Sequence, residues 1–290
     1  GENGIPSDYP TRVVREDPVR EGLLFAGTEF GMFVSLDDGA NWHEFQQNLG
    51  VTPVTDIRIV RGDLAISTMG RSFWVLDNIS TLRQDGFDTA GDDAILFQPK
   101  DTIRYRNVYT GQDDADVPDY PPPAAIIDYF LPADFDGLVK LEILDVSGDV
   151  VNAYESTGAE AGAENEEIED MALSQVRVIA DQSLSAAPGM NRFRWDMTHF
   201  GPWTQDEDAR FRRGPLVRPG TYALRLTAGD AVCEQEFQLL ADPRVLDQGT
   251  SLEDMAAQEY FQLLVVDLVS EVRRFEEQVE EEAEVLEGKK

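Results

Sequence analysis

The stretch that decides the fold is an acidic turn with strand-like residues on both sides, Ser35-Leu36-Asp37-Asp38-Gly39-Ala40-Asn41-Trp42. A short carboxylate such as Asp37 accepts hydrogen bonds from the backbone N–H groups of a turn. Gly39 supplies a positive φ without steric cost, and the indole of Trp42 is expected to pack beneath the turn. We therefore interpret Ser35, Asp37, Gly39 and Trp42 as structural residues of a hairpin, not as catalytic groups.

Short strands separated by glycine-containing turns fill residues 1–99, and apolar or β-branched runs mark each of them. The sequence from Thr28 to Asp37 aligns with that from Thr68 to Asp77 at one constant offset of 40 residues. A four-stranded unit that repeats at about this period is typical of a β-propeller blade. The predicted strands are Arg12–Val14, Leu23–Ala26, Met32–Val34 and Trp42–Phe45, then Val54–Val60, Leu64–Thr68, Ser72–Leu76 and Ala94–Phe97.

Two blades cannot close a propeller, because each leaves an apolar face that only a neighbouring blade covers. We therefore expect the chain to be the carboxy-terminal part of a longer protein. Its first partners would be the remaining blades of that protein.

The first hundred residues contain four diagnostic runs: Tyr9–Pro18, Leu24–Gly31, Ser35–Trp42 and Gly70–Asp77. Together they resemble the last blades of bacterial BNR/Asp-box propeller proteins. These are exported proteins related to the sortilin (Vps10) propeller and called glycosyl hydrolase-like. The resemblance implies an architecture and a secreted, periplasmic or cell-surface location, with any export signal lying outside this sequence. It implies no single activity, because the Asp-box occurs in sialidases and in non-catalytic receptors alike.

From residue 100 the amino-acid composition becomes polar and rich in proline, which predicts a linker over 100–123. Residues 124–245 then predict a small antiparallel sandwich, with a hairpin turn at Asp145–Asp149. An acidic insertion poor in apolar residues, 156–185, is predicted to be disordered.

The run Pro219-Gly220-Thr221-Tyr222 follows a Trp-Asp strand and resembles the immunoglobulin-like module of the flagellar hook-capping protein FlgD. The same module closes many Asp-box propeller proteins. The other strands are Ala125–Leu131, Leu138–Leu144, Val150–Tyr154, Gly189–Met197, Gly220–Thr227 and Glu234–Leu240.

The segment 246–290 predicts a C-terminal α-helix, with Thr250 and Glu253 as its capping box. An apolar stripe follows at steps of three or four residues. The stripe is expected to pack against the sandwich or a propeller edge, or to pair with a second helix. Its members are Phe261, Leu264 or Val265, Leu268, Val272, Phe275 and Val279. The predicted fold class is thus mainly β, with a partial propeller, an immunoglobulin-like sandwich and a terminal helix.

Charge narrows the range of partners. The 56 acidic against 24 basic residues give a formal net charge of −32, which repels nucleic acid and anionic membrane surfaces. Only four lysines occur, and acid-rich, lysine-poor composition suggests a halophilic source, where salt screens self-repulsion. An acidic protein of no special habitat is the alternative. No apolar run is long enough for a membrane span, and the single Cys233 permits no intrachain disulfide.

No catalytic constellation is evident in the sequence. Histidine occurs only at His43 and His199, which excludes a Ser/His/Asp or Cys/His arrangement built on both histidines, and a zinc site of the common ligand sets. Carboxylates are too abundant for any pair to be informative. We therefore predict no catalytic residue, no metal site and no cofactor.

Two aromatic groups are candidates for ligand binding. Arg71 with Trp74 could clamp a carboxylate or stack on a sugar, or could bridge blades through backbone carbonyls. Trp195 and Trp203, with Phe200, could form an exposed patch for sugar, or could pack the sandwich against its long loop.

Two functions remain open for the chain. It is either the non-catalytic end of an exported propeller protein that binds or scaffolds protein or carbohydrate, or part of a glycoside hydrolase whose acid and nucleophile lie on upstream blades. The sequence favours the first, because it contains no recognisable catalytic set.

Overall fold

The computed structural model describes residues 3–84, 86–87, 91, 93–105, 123–156, 184–205 and 213–287. The chain divides into two compact units, Gly1–Ala90 and Gly91–Lys290. It is mainly β, with several sheets and a long C-terminal helix, which confirms the coarse prediction.

The first unit contains two antiparallel sheets. The first sheet has the order β1-β2-β3-β4, and the second has the order β5-β6-β7 and is followed by a 3-10 turn at Ser80–Arg83. Consecutive strands are hydrogen-bonded neighbours throughout, so each sheet is a meander of short hairpins. The strands are β1 Thr11–Glu16, β2 Leu24–Thr28, β3 Met32–Ser35, β4 His43–Glu44, β5 Val54–Val60, β6 Asp63–Thr68 and β7 Phe73–Leu76.

The prediction that Ala94–Phe97 completes the second sheet is wrong. Within the described residues, that sheet has three strands and ends at β7. Strand β8, Ile95–Leu96, instead pairs antiparallel with β10, Ala125–Leu131, in the second unit. Its Leu96 is 3% exposed in that unit's core, so burial there decides which sheet the strand joins.

The constant offset of 40 is also wrong beyond the hairpin loop. Gly27 pairs with Met32 in the β2–β3 hairpin, whereas Ser67 pairs with Phe73 in the β6–β7 hairpin. The second loop is therefore one residue longer. The offset is 40 before the loop and 41 after it, so Asn78, not Asp77, occupies the place of Asp37.

The two sheets bury opposite faces in one shared core. Sheet one contributes Phe25 and Val34, while sheet two contributes Leu64 and Ile66. Leu64 is equivalent to Leu24, but the core residue of sheet one is the next residue, Phe25. Because successive residues of a strand point to opposite faces, the two sheets place opposite faces in the core. The other face of sheet two carries Val75, the equivalent of Val34, at 61% exposure.

The second unit is built on a five-stranded and a three-stranded sheet that share one core. The orders are β12-β11-β14-β15-β9 and β13-β10-β8. All pairs are antiparallel except β15 with β9, which is parallel. The further strands are β9 Thr102–Arg104, β11 Val139–Leu144, β12 Val150–Glu155, β13 Gly189–Trp195, β14 Gly220–Ala228 and β15 Ala231–Ala241.

Strand β9 corrects the predicted 100–123 linker, since Thr102–Arg104 pairs with β15; residues 106–122 lie outside the described part. The Asp145–Asp149 turn is confirmed, because Asp145 Oδ1 accepts the N–H groups of Ser147 and Asp149 between β11 and β12.

The ends of the segment 156–185 belong to the core of the second unit, although disorder was predicted for all of it. Ser156 Oγ accepts the N–H of Val139, Leu184 is 2% exposed, and Ser185 O accepts the Tyr129 hydroxyl. The acidic part of that prediction, 157–183, lies outside the described residues.

Two helices follow β15 in the described residues, α1 at Pro243–Asp247 and α2 at Leu252–Glu287. The capping box of α2 is one residue away from the predicted pair. Ser251 Oγ accepts the N–H of Asp254 (3.1 Å), and Asp254 Oδ2 accepts the N–H of Ser251 (2.8 Å). A reciprocal Ser–Asp pair of this kind satisfies backbone donors that a helix start leaves free.

Candidate functional site

The Ser35–Trp42 turn is held by two polar side chains with different surroundings. Ser35 is fully buried, and its Oγ accepts the N–H of Gly39 (2.9 Å) while its hydroxyl donates to Asp37 Oδ1 (2.8 Å). Asp37 is exposed and accepts the N–H of Asn41 (2.8 Å) and its side-chain amide (2.7 Å). The buried anchor of this turn is therefore the serine.

Hydrogen bonds fix the charge state of Asp37. The N–H of Asn41, the Asn41 amide and the Ser35 hydroxyl together lower the pKa of the carboxyl below its ordinary value. A Cβ added at Gly39, where φ is 83°, would lie 3.7 Å from the Trp42 ring, so the indole lies directly against the glycine. The lowered pKa keeps the carboxylate ionised at neutral pH, and both of its oxygens accept hydrogen bonds within the turn.

Arg71 and Trp74 lie together at the β6–β7 loop. The Trp74 Nε1–H donates to Arg71 O (2.9 Å), and the indole packs on the core of the first unit. A Cβ added at Gly50 would lie 3.0 Å from Arg71 Cζ, so the guanidinium lies against that backbone. The adjacent cavity is about 60 Å³, which is room for a water molecule or two but not for a sugar ring.

Trp195 does not form part of an exposed patch. It is fully buried in the core of the second unit, in edge contact with Tyr222 and Phe237. Its Nε1–H donates to Thr198 O (3.2 Å). A ligand cannot reach this ring, so the proposed sugar contact of Trp195 is excluded by burial.

Trp203 and Phe200 lie in a groove of about 600 Å³ between the 199–204 segment and α2, which we call the α2 groove. Phe200 is 48% exposed, and Trp203 is half-buried. The Arg274 guanidinium lies 5.3 Å from the centre of the Trp203 ring, a cation–π arrangement. Polar groups of Thr204 and Asp267 also line the groove.

Hydrogen bonds from α2 hold the groove wall in place. Ser270 Oγ accepts the N–H of Trp203 (3.0 Å), and Arg273 Nη1 donates to Trp203 O (3.3 Å). About three turns earlier in α2, Glu259 Oε1 accepts the N–H of Arg218 (2.7 Å) and lies 2.8 Å from His199 Nε2. These contacts give the 199–204 segment a defined backbone against the helix.

Glu259 is a buried carboxylate at the centre of these contacts, with its side chain 9% exposed. Burial alone would raise its pKa, but the His199 ring, the N–H of Arg218 and the Arg218 charge together lower it. Sequence reasoning missed Glu259 and Ser270. The available signal was a second helical face, spaced at three or four residues, that runs through Met255, Glu259, Leu263, Val266 and Ser270.

The α2 groove has the chemistry of a recognition surface. Aromatic faces offer apolar contact, while a guanidinium, a carboxylate and a hydroxyl offer hydrogen bonds. Across the described ranges, no group of three or more His, Cys, Asp or Glu residues could hold a metal ion. No helix in the described part of the chain is long and apolar enough to cross a membrane.

Comparisons with known proteins give no family for the chain. No family model matches it, and no curated protein does. Among the solved structures that the chain resembles is the extracellular domain of a candidate one-component system protein, BT4673 from B. thetaiotaomicron, at a TM-score of 0.19 and 12% identity. The alignment covers 82% of this chain and 31% of that one.

Proposed function

We propose that this chain is the non-catalytic C-terminal portion of an exported Asp-box propeller protein, with a role in binding or scaffolding. The observation that carries the proposal is the opposite-face burial of the two sheets in the first unit. Consecutive propeller blades stack the front of one sheet on the back of the next, and equivalent residues then face opposite ways. Phe25 and Val34 packed against Leu64 and Ile66 follow that rule.

The open face of the second sheet supplies the partner surface for a further blade. Phe73 and Val75 are 81% and 61% exposed on it. The equivalent residues of the first sheet, Met32 and Val34, are 3% and 5% exposed. A third sheet stacked on Phe73 and Val75 would bury them as Met32 and Val34 are buried, so the remaining blades of the parent protein are the expected partner.

The second unit would then be the FlgD-type immunoglobulin-like closure, with carbohydrate as the candidate ligand of the α2 groove. A sugar presents an apolar face and several hydroxyls, and the groove offers Phe200 and Trp203 beside Thr204, Asp267 and Arg274. One face of the Trp203 ring lies under Arg274, so Phe200 is the more open stacking surface.

The hydrolase alternative needs two carboxylates that face one cleft. In the first unit the most buried carboxylate is that of Asp17, among the residues described. Arg83 binds it in a bidentate pair (2.8 and 3.1 Å), and it also accepts the N–H groups of Val19 and Arg20. This carboxylate fixes the β1–β2 connection, so no specific observation favours catalysis by the present chain.

Affinity electrophoresis of this chain through gels containing single polysaccharides, together with reducing-sugar assays, tests the proposal. We expect retardation by at least one polysaccharide and no release of sugar. Phe200→Ala should weaken that retardation about tenfold, whereas the matched surface variant Phe30→Ala should not. Hydrolysis by this chain would overturn the non-catalytic role, and retardation insensitive to Phe200→Ala would remove the groove as the site.

A further inference from the structure

Helix α2 has two long faces, and within the described residues only one of them contacts the rest of the second unit. The contacting face includes Met255, Glu259 and Ser270, at 3%, 7% and 8% exposure. The other face is apolar and exposed, each side chain keeping 44% to 66% of its surface in solvent. Its members are Phe261, Leu264, Val265, Leu268, Val272, Phe275 and Val279. The predicted packing of this stripe on the sandwich is therefore not observed.

The spacing of the exposed face is that of a coiled-coil seam. From Phe261 to Val279 the steps alternate strictly between four and three residues, so every second seam position recurs after seven residues, which corresponds to a period of 3.5. This period, sustained along a helix, keeps one stripe facing a partner helix. One set of seam positions is valine throughout, while the other holds two phenylalanines and a leucine. The seam consists of Phe261, Val265, Leu268, Val272, Phe275 and Val279.

We propose that this seam pairs with the same seam of a second copy of the chain, in an antiparallel two-helix interface centred near Ser270. A parallel in-register pair would place phenylalanine opposite phenylalanine and valine opposite valine. The antiparallel pair places a large side chain opposite a valine in every layer, which fills the interface more evenly. The facing pairs are Phe261 with Val279, Val265 with Phe275 and Leu268 with Val272, each repeated by the two-fold axis.

Charge favours the same orientation. In a parallel pair, Glu271 of each helix would flank Glu276 of the other, and the two Glu282 side chains would meet in the seam. In the antiparallel pair centred near residue 270, Glu276 flanks the neutral Gln262, and Glu282 lies beyond the last layer. Only Glu271 meets its own copy. The flanking residues of coiled coils select orientation by such pairs.

The seam is large enough for a specific interface. Eighteen residue steps of an α-helix make it about 27 Å long. The six seam side chains and the neighbouring Leu264 each still expose on the order of 100 Å², so they would bury on the order of 700 Å² per chain, close to the share of one partner in a standard interface. Each copy carries a formal net charge of −32, so the pair should strengthen as salt shortens the Debye length.

Sedimentation equilibrium of the full 290-residue chain in low and molar KCl tests the proposal. We expect a monomer–dimer equilibrium that tightens with salt. Leu268→Glu should weaken it at least ~10-fold. Tyr260→Glu is the matched control: the residue is 67% exposed on the same helix, off the seam, against 60% for Leu268, and this variant should leave dimerisation unchanged. A chain that stays monomeric at every salt concentration, or equal weakening by both variants, would overturn the proposal.

Cysteine crosslinking tests the orientation, in a Cys233→Ala background. Glu271→Cys places the new thiol next to its own copy in the antiparallel pair, so a short bis-maleimide should join two chains. Val279→Cys places its thiols at opposite ends of that pair and should not crosslink, whereas a parallel pair would join them. Circular dichroism at 222 nm verifies that each variant keeps the helix, and crosslinking at 279 in place of 271 would overturn the antiparallel arrangement.

Discussion

The β2–β3 and β6–β7 hairpins of the first unit differ by one loop residue, and that residue decides which polar side chain follows each hairpin. The backbone bond Asp38 N to Gly22 O in the first repeat corresponds to Ile79 N to Gly62 O in the second. Asp37 therefore corresponds to Asn78. Asp37 is exposed and bonds four residues ahead to Asn41, whereas Asn78 is buried and accepts the N–H of Ser80 two residues ahead.

The difference shows how a repeat can keep its hairpin geometry while the path of the chain after the hairpin changes. After the first hairpin the chain makes a wide turn, with Ser35 as its buried anchor, and returns as β4. After the second, Leu76 replaces that anchor, and the chain enters the 3-10 turn Ser80–Arg83. Arg83 at the end of this turn then reaches back to Asp17 before β2. This buried ion pair joins the two repeats, as does the more exposed Arg15–Asp56 pair.

The largest expected effect comes from breaking the buried ion pair. The Asp17 side chain is 0% exposed and that of Arg83 is 17% exposed. Arg83→Ala leaves a buried carboxylate without its counter-charge, so we expect a loss of about 3 kcal/mol in the free energy of unfolding. Urea titration, followed by the fluorescence of the tryptophans, measures it. Arg58→Ala is the control, since Arg58 has a 70% exposed side chain. A similar loss in both variants would contradict a stabilising role of the buried Asp17–Arg83 ion pair.

The same pair predicts an acid dependence. Burial raises the pKa of Asp17, but Arg83 and two backbone N–H groups outweigh it and bring the pKa below its ordinary value of 3.8. A lowered folded pKa stabilises the fold fully above the ordinary value, and the contribution is lost as the pH falls through the lowered one. The stability difference between the wild type and Asp17→Asn should therefore shrink from pH 6 to pH 3. A stability difference that is independent of pH would show that the ionised carboxylate of Asp17 does not stabilise the fold.

The sequence predicted the first turn and nearly every strand of the first unit, because alternation and turn residues are local signals. It did not predict the longer second loop, since Thr, Phe, Leu and Asp match at one offset whichever strand register the backbone adopts. Nor did it assign Ala94–Phe97, because strand tendency does not identify the partner strand. The burial of Trp195 was accessible: Phe193 and Trp195 alternate with the more exposed Arg192 and Arg194 along β13.

A smaller effect should separate the two polar residues of the first turn. Ser35→Ala removes the buried hydroxyl that accepts the N–H of Gly39, and we expect a loss of about 1–2 kcal/mol in the free energy of unfolding. Asp37→Ala removes bonds at an exposed position and should lower the melting temperature less. Thermal unfolding of both variants shows which one lowers the melting temperature more. Leu76→Ser tests whether the turn after the second hairpin can use a serine as the first turn uses Ser35. A larger loss for Asp37→Ala would make the carboxylate the main support of the turn.

The smallest effect is expected at the residue that differs most between the hairpins. Phe73 is 81% exposed, whereas Met32 at the equivalent position is 3% exposed. Phe73→Ser should leave the stability of this chain within about 0.5 kcal/mol, as substitutions at exposed positions usually do. Met32→Ser should cost several-fold more through the loss of buried apolar surface. If a further blade covers the second sheet, Phe73→Ser becomes as damaging as Met32→Ser in any longer protein that contains both, and urea titration of the two contexts side by side measures that change.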